Sequence, residues 1–549
     1  MHFALRVLDI VIVVVGYIDD SGLPSDLPAF ARTCKLFIDP ALDALWRIQN
    51  DLAPLIMTMP SNLWSEEKTV TGRPYLCFQR APRPTDWARF EFYAHRIREL
   101  GVSEYPPSVP DGQFQKLLVA PSVFQSLATR RPFPILPQLN DLEWSWPLPG
   151  WQHDRGDRDR NWDPAMEIDY CPYAPLFLGP RLVRLSIRGR VPGTSVADCL
   201  VSFLRRLPKH CPFLRELSFH HDRAPSSVNA ALSEALRALN HITTLAIHIT
   251  TRPISLDTAA WTHLASLRTV KSIRLANFVL YNPSLRSKPE AGFNFLIESP
   301  NAFPVLQELD LRVLSYDPYL SLVRACSSPV LSQINIVVGR PSSPISTRQL
   351  VSVLSDKTSL TLINITHMNR IPSDTLPPRD LSISLRPLFK LQNLISFSWN
   401  TPFPFDDLSD STMSNLVASW PSLRCLHLIR PPPLPGQSES TSITLRGLLP
   451  LASHPFLSEI CVPLIARASD IVSMPLPENS SSAVMELRLD QWIVVDDADG
   501  DLEVIARYLL SLFPRCRCGQ NPLDAPRKPR ELQVLMNSDE FRQSVFNVA

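Results

Sequence analysis

Apolar residues recur along the chain in one fixed spacing: two positions separate the first from the second, and one position separates the second from the third. Eleven copies follow each other, and the steps between their middle residues average about 30 residues. The middle residues are Leu185, Leu217, Leu245, Ile273, Leu309, Ile334, Ile363, Phe397, Leu426, Ile460 and Leu487. Two earlier copies have a longer interval, with Leu100 and Leu142 at their centres. Such a repeat predicts a stack of similar structural units.

The last two apolar residues of each copy flank a single position, which predicts a short strand with one buried and one exposed face. The segments between copies carry a helical spacing of apolar residues instead. Val196, Leu200 and Phe203 illustrate this spacing, and they follow Ser195, a residue suited to begin a helix. The chain is therefore predicted to alternate strand and helix over most of its length.

One strand and one helix cannot bury their apolar sides alone, whereas stacked units share a continuous core. We therefore predict an α/β solenoid, a degenerate leucine-rich-repeat-like horseshoe with parallel strands inside and helices outside. It is degenerate because the asparagine or cysteine that such repeats place three positions after the motif is replaced, for example by Arg190, Asp222 and Thr250. The alternative is a doubly wound α/β domain, which shares the alternation but seldom sustains eleven near-equal steps.

Composition narrows the possible partners. The chain has 54 Lys and Arg against 53 Asp and Glu, a net charge of +1, so no overall field favours nucleic acid or an anionic membrane. The apolar run from Ile10 to Val15 is too short to span a bilayer. Ten cysteines, scattered except for Cys516 and Cys518, suggest no disulfide framework. We expect a cytoplasmic or nuclear protein, or one found in both compartments.

The sequence offers little for catalysis. We find neither a phosphate-binding glycine loop nor a nucleophile elbow, and the chain has only 16 glycines. His220, His221 and Asp222 could provide three zinc ligands, but the usual fourth ligand is missing. Cys516 and Cys518 lie in a basic terminus that we expect to be solvated. We therefore expect no enzymatic activity, no cofactor and no metal.

The first fifty residues differ from the rest, because short apolar runs there predict three helices. The residues that mark them are Leu8, Ile10, Ile18, Asp26, Leu27, Cys34, Phe37, Leu45 and Trp46. This pattern resembles the F-box, a small helical module with an apolar first helix, an Asp-Leu pair, a cysteine followed by an aromatic residue, and a late tryptophan. Because the repeats follow this module along the chain, the whole chain is similar to proteins that combine an F-box with leucine-rich repeats. Fungi carry such proteins in many divergent copies.

That resemblance implies that the chain links a target protein to a ubiquitin ligase. The F-box would dock on the small adaptor of a cullin-type, SCF-like ubiquitin ligase, and the repeats would bind a target protein. The chain would thus be the substrate-recognition subunit, a monomer within a hetero-complex. The implied adaptor contacts are Leu8, Ile10, Ile18, Cys34, Phe37, Leu45 and Trp46.

An alternative stays open at the N terminus. No proline follows the opening leucine, and the run from Val11 to Val15 is unusually apolar for a helix with one solvated face. The chain would then be a non-catalytic leucine-rich-repeat scaffold, and its N-terminal helices would only cap the first repeat.

The exposed strand positions are the candidates for target binding, since they alternate with the buried positions. They are Arg188, Ser218, His220, His248, Arg274, Asp310, Arg312, Asn335, Asn364, His427 and Arg488. The predicted boundaries are 1–50 for the F-box-like module, 51–90 for a linker, 91–513 for the solenoid and 514–549 for a C-terminal tail.

Overall fold

Parallel strands and the helices between them make up most of the structure, a computed structural model. It has two compact units, Met1–Val270 and Lys271–Ala549. Each unit is an α/β arrangement of mainly parallel strands, with six main-sheet strands in the first and nine in the second. The structure describes residues 7–20, 25–68, 74–102, 117–130, 134–145, 171–189, 194–221, 225–249, 256–277, 301–313, 315, 317–339, 344–367, 383–401, 405, 408–429, 443–471, 482–489, 492–495, 501–518 and 527–546.

Three helices open the first unit, as the apolar runs predict. They are α1 (Leu8–Asp20), α2 (Asp26–Ala31) and α3 (Lys35–Arg47). Val11 and Val15 lie one turn apart on α1 and pack into a small core with Leu27 and Phe37. Phe30 stacks on Phe37 with ring centroids 4.5 Å apart, so this core links α2 to α3 as well.

The described part of the segment 51–90 contains helices and strands, which corrects the prediction of a linker. The elements in and next to this segment are β1 (Ile48–Gln49), α4 (Ala53–Met57), β2 (Trp64–Lys68), β3 (Pro74–Phe78) and α5 (Ala88–Ala94). The physical reason is apolar burial, because Leu55, Leu63 and Leu76 are fully buried. A salt bridge of 2.7 Å between Arg80 and Asp86 adds to this, and it lowers the pKa of Asp86 to about 2.

The first unit continues with alternating strands and helices. These are β4 (Glu99–Val102), β5 (Leu118–Val119), α6 (Pro121–Arg130), β6 (Asp141–Ser145), β7 (Arg184–Gly189), α7 (Thr194–His210), β8 (Glu216–His221), α8 (Ser226–Ala238), β9 (Thr244–Ile249) and α9 (Thr258–Ser266). The main-sheet order is β1-β4-β6-β7-β8-β9, and β2, β3 and β5 form a separate small sheet. The middle residues of successive copies pair with one another, from Leu100 through Leu142, Leu185 and Leu217 to Leu245.

The second unit repeats this organisation. Its elements are β10 (Ser272–Asn277), β11 (Glu308–Val313), α10 (Leu320–Ala325), β12 (Gln333–Val338), α11 (Pro344–Ser355), β13 (Leu362–His367), β14 (Ser396–Asn400), α12 (Asp410–Ser419), β15 (Cys425–Ile429), α13 (Leu448–Ala452), β16 (Glu459–Cys461), β17 (Leu464–Arg467), α14 (Ala468–Ile471), β18 (Glu486–Arg488), β19 (Trp492–Val495), α15 (Asp501–Leu512), β20 (Arg517–Cys518), α16 (Arg527–Asn537) and α17 (Asp539–Phe546). The middle residues again pair in register, from Ile273 and Leu309 to Ile460 and Leu487.

The C-terminal segment 514–549 also contains regular structure, β20, α16 and α17. Cys516 and Cys518 are buried, so the prediction of a solvated terminus around them is wrong. The reason is an apolar side on the last helices, where Leu532 and Met536 lie one turn apart and are fully buried. Burial raises the pKa of the Cys516 thiol to about 11 and raises that of Cys518 further, so neither thiol is reactive at neutral pH.

Candidate interaction surfaces

Three of the predicted adaptor contacts, Ile18, Cys34 and Phe37, belong to the core of the N-terminal module or pack against it. Phe37 is buried among Val11, Val15 and Leu27, and Ile18 and Cys34 pack against this cluster while staying partly exposed. Phe37 therefore stabilises the three-helix module from within, and it does not lie on the surface.

The outer side of α1 is apolar and exposed. Ile10, Val13 and Tyr17 share one side of the helix at spacings of three and four residues, and they are 40, 57 and 75% exposed. Leu8 and Ile12 are also exposed. A helix with apolar residues on all sides is normally buried on all sides. The surface that Ile10, Val13 and Tyr17 share is called the α1 face below.

Of the α1 face, sequence reasoning placed only Ile10 among the adaptor contacts; Leu8, another predicted contact, is exposed on a different side of α1. The signal for the rest was the uninterrupted run from Val11 to Val15, which an amphipathic helix with one buried side does not need. The structure divides this run: Val11 and Val15 point into the core, and Ile12 and Val13 are exposed.

The end of α3 joins the module to the rest of the first unit. Trp46 stacks on Tyr93 of α5 with ring centroids 4.4 Å apart, whereas its neighbour Leu45 is exposed. The guanidinium of Arg96 forms ion pairs with Asp39 and Asp43 of α3 and also lies 4.6 Å from the ring centroid of Phe92. Trp46 therefore attaches the module to α5, while Leu45 is accessible.

The predicted target-binding residues lie on the exposed face of the parallel strands. Ten of the eleven predicted residues are exposed or partly exposed, and Asp310 is buried. The ten are Arg188, Ser218, His220, His248, Arg274, Arg312, Asn335, Asn364, His427 and Arg488. The alternation of buried and accessible residues along β7, β8 and β12 follows the predicted pattern.

The arginines on these strand faces have acidic partners. Arg184 lies 2.9 Å from Asp141, Arg188 lies 3.5 Å from Glu143, Arg274 lies 3.0 Å from Glu308, and Arg312 lies 3.4 Å from Asp310. Three of these four pairs join residues on adjacent strands; Asp141 is the register partner of Arg184, and the other two pairs are offset by two residues. Asp310 was predicted, but Asp141, Glu143 and Glu308 were not, since their partners become visible only once the strand register is known.

Two of these carboxyl groups show the effect of their surroundings. Burial opposes the charge on Glu308, but hydrogen bonds from Arg274 and Ser272 outweigh it and lower the pKa of Glu308. Burial raises the pKa of Asp141; Arg184 opposes this, and the nearby carboxylates, among them Glu99 and Glu216, add to the rise.

A ladder of side-chain hydrogen bonds crosses β11, β12 and β13. The amide of Asn335 donates to Asp310 over 2.9 Å, and the amide of Asn364 donates to Asn335 over 2.9 Å. The hydroxyl of Thr366 donates to Asn364 over 3.2 Å. The predicted residues Asp310, Asn335 and Asn364 are therefore brought together. The hydrogen bonds form a chain in which each group donates to the next, and the chain ends at the carboxylate of Asp310.

His220 and His248 lie side by side, as their equivalent positions in neighbouring copies predict. Their ring centroids are 4.0 Å apart, and Nε2 of His220 shares a hydrogen bond of 2.8 Å with the Ser218 hydroxyl. Burial, with His248 and Arg188 nearby, lowers the pKa of His220 to about 3. His220 is therefore neutral at pH 7. Within the described ranges, no three His, Cys, Asp or Glu side chains converge in a group that could hold a metal.

No protein-family model and no curated protein sequence matches the chain. In the part of the chain that the structure describes, no helix is both long and apolar enough to cross a membrane. The α1 face and the exposed faces of the parallel strands are the two candidate interaction surfaces.

Proposed function

We propose that the chain is the substrate-recognition subunit of a cullin-type, SCF-like ubiquitin ligase, with no catalytic step of its own. Its N-terminal module docks on the adaptor, and a leucine-rich-repeat-like solenoid binds the target protein with the exposed faces of its strands. This role belongs to the cytoplasm or the nucleus. The observation that carries the proposal is the α1 face. It is an exposed apolar surface on a small helical module that precedes the parallel strands along the chain.

The α1 face favours docking for a physical reason. Val13 and Tyr17 leave more than half of their surface in water, and covering them recovers hydrophobic free energy of about 1 kcal/mol or more per side chain. An apolar helix side with anchors at spacings of three and four residues fits a groove on a partner. Leu45 on α3 is exposed too, so the module offers more than one apolar contact.

The strand faces favour a protein target over a small ligand. They offer ion pairs, the ladder from Asp310 to Thr366 and the histidine pair, spread over many strands. A small molecule is normally held in a concave, mostly apolar pocket with a few polar groups. Hydrogen-bonding groups that are spread over a sheet instead suit a partner with a large surface of its own.

The alternative function is a scaffold whose N-terminal helices only cap the first repeat. Its specific support is the attachment of α3, where Trp46 stacks on Tyr93 and Arg96 bridges to Asp39 and Asp43. A cap needs these contacts, but it does not need an exposed apolar side on α1.

Titration of the purified full chain with the purified cullin adaptor tests the proposal. We expect Val13→Asp and Tyr17→Asp to weaken binding by at least about 100-fold, because each buries a charge in an apolar contact. Ile345→Asp on α11 is the matched control, since Ile345 is similarly exposed but lies on a helix of the second unit, and it should bind like the wild type. Point variants are preferable to deleting residues 1–50, because deletion would also expose Tyr93.

Two results would contradict the proposal. If the wild-type chain does not bind the adaptor, the scaffold becomes the better interpretation. If it binds, and neither variant differs from the Ile345→Asp control, the α1 face is not the docking site. Circular dichroism of each variant establishes that a loss of binding does not come from unfolding.

A further inference from the structure

The main sheet of the second unit ends at β20. This strand pairs with β18 on one side, and within the described residues no strand pairs with its other side. An edge strand normally presents unpaired backbone N–H and C=O groups, to which another strand can add. The end of this sheet is therefore a potential site for strand addition.

Asn537, the last residue of α16, occupies this site. The backbone N–H of Cys518 donates to Oδ1 of Asn537 over 2.9 Å, and Nδ2 of Asn537 donates to the carbonyl of Cys518 over 3.0 Å. A side-chain amide carries a donor and an acceptor next to each other, as a peptide group does. One amide thus satisfies both backbone groups of Cys518, as a neighbouring strand would.

Arg542 of α17 fixes the same helices to the chain before β20. Its guanidinium donates to the carbonyl oxygens of Pro514 over 2.9 Å and of Cys516 over 2.7 Å. It also donates to the carbonyl of Met536 over 3.2 Å, at the end of α16. Met536 lies in the last turn of α16, where carbonyls lack partners within the helix, so Arg542 satisfies a group that would otherwise need water.

Apolar contacts lie beneath these hydrogen bonds. Leu532, Met536 and Phe541 are buried, and the sulfur of Met536 lies 3.6 Å from the sulfur of Cys518. The guanidinium of Arg507 on α15 lies 5.5 Å from the ring centroid of Phe541. Removing α16 and α17 would expose backbone groups and apolar surface at the same place.

We propose that α16 and α17 are an edge cap, which occupies the strand-addition site of β20 and prevents a second copy of this chain from docking there. Without the cap, the fitting occupant is the same edge of a second copy, because two equal edges can pair antiparallel about a two-fold axis. The apolar surface that the cap covers would add to this contact. This inference does not depend on the proposed ligase function.

The test compares the full chain with the double variant Asn537→Ala, Arg542→Met by sedimentation velocity at increasing protein concentration. We expect the wild type to stay monomeric and the variant to form dimers as concentration rises. Asn393→Ala is the matched control, because Asn393 is exposed and its amide donates one hydrogen bond, to the carbonyl of Thr358 over 3.2 Å. A double variant that folds and stays monomeric throughout overturns the proposal.

Hydrogen exchange provides a second readout if the double variant does not fold. In the single variant Asn537→Ala, exchange of the Cys518 amide should become about 5- to 30-fold faster than in the wild type, the effect of losing one or two hydrogen bonds. An unchanged rate overturns the proposal. So does a wild-type Cys518 amide that exchanges as fast as an exposed one, since the cap would then leave the edge open.

Discussion

The histidine pair on β8 and β9 should make the local stability of these two strands between pH 7 and pH 5 depend on His220. His220 lies beside His248 and Arg188, and burial is the largest cause of its lowered pKa, which is about 3. Protonating it would place a buried charge next to other positive groups. The perturbation is His220→Gln, which keeps a polar side chain at this position and removes the titrating group.

The sign follows from the two pKa values. The unfolded chain takes up a proton on His220 below about pH 6.5, and the folded chain does so only near pH 3. The unfolded state therefore binds more protons in this window, and the free energy of unfolding falls as the pH decreases through it. One group contributes at most about 1.4 kcal/mol per pH unit. Because His220 is partly exposed, we expect solvent screening to reduce its contribution to about 1 kcal/mol between pH 7 and pH 5.

The measurement is native-state hydrogen exchange of peptides that cover β8 and β9, corrected for the intrinsic rate at each pH. In the wild type, the opening free energy should decrease from pH 7 to pH 5, and in His220→Gln the decrease should be about 1 kcal/mol smaller. His241→Gln is the control, because His241 is exposed in the same unit. A variant with the full wild-type decrease would refute the assigned role of His220. Burial also lowers the pKa of His367, so acid sensitivity should persist in the second unit.

Two further predictions concern the first unit. Trp46→Ala should lose the stacking on Tyr93 and increase proteolysis within α3 without changing exchange in β8, whereas Trp46→Phe should retain most of the protection. Equal proteolysis of both variants and the wild type would contradict the attachment role. Leu55→Ala should cost about 2–5 kcal/mol, because Leu55 is fully buried in the segment predicted as a linker, and Met57→Ala, at a partly exposed site, should cost much less. Urea denaturation midpoints measure this difference, and similar midpoints would contradict it.

The strands and their exposed positions were largely predictable, because a strand of this kind needs only local alternation. Every predicted copy, from the one around Leu100 to the one around Leu487, contains a strand in the structure. The pairing of their middle residues follows, since parallel strands with equal patterns bury the same positions in register. The adjacency of His220 and His248 follows from the same register.

Other parts depend on contacts that local spacing does not contain. The segment with Leu55 and Leu63 lacks the repeated pattern, so its apolar residues gave no sign of the elements they form. The burial of Cys518 depends on Met536, eighteen residues later, and the helical spacing of Leu532 and Met536 was the available signal. The sequence did not show whether Phe37 lies in the core of the module or on its surface, because an apolar residue suits either a core position or an apolar contact with a partner.

The paired arginines on the strand faces have a kinetic consequence. A positive group beside a negative one produces little field a Debye length away, about 8 Å at physiological ionic strength. Arg184, Arg188, Arg274 and Arg312 each lie within 3.5 Å of a carboxylate, so they attract an approaching charged partner weakly. Association at these faces should proceed at the ordinary docking rate of about 10⁵–10⁷ M⁻¹s⁻¹, with little dependence on salt. Differences in affinity between partners would then come from their dissociation rates and not from their association rates.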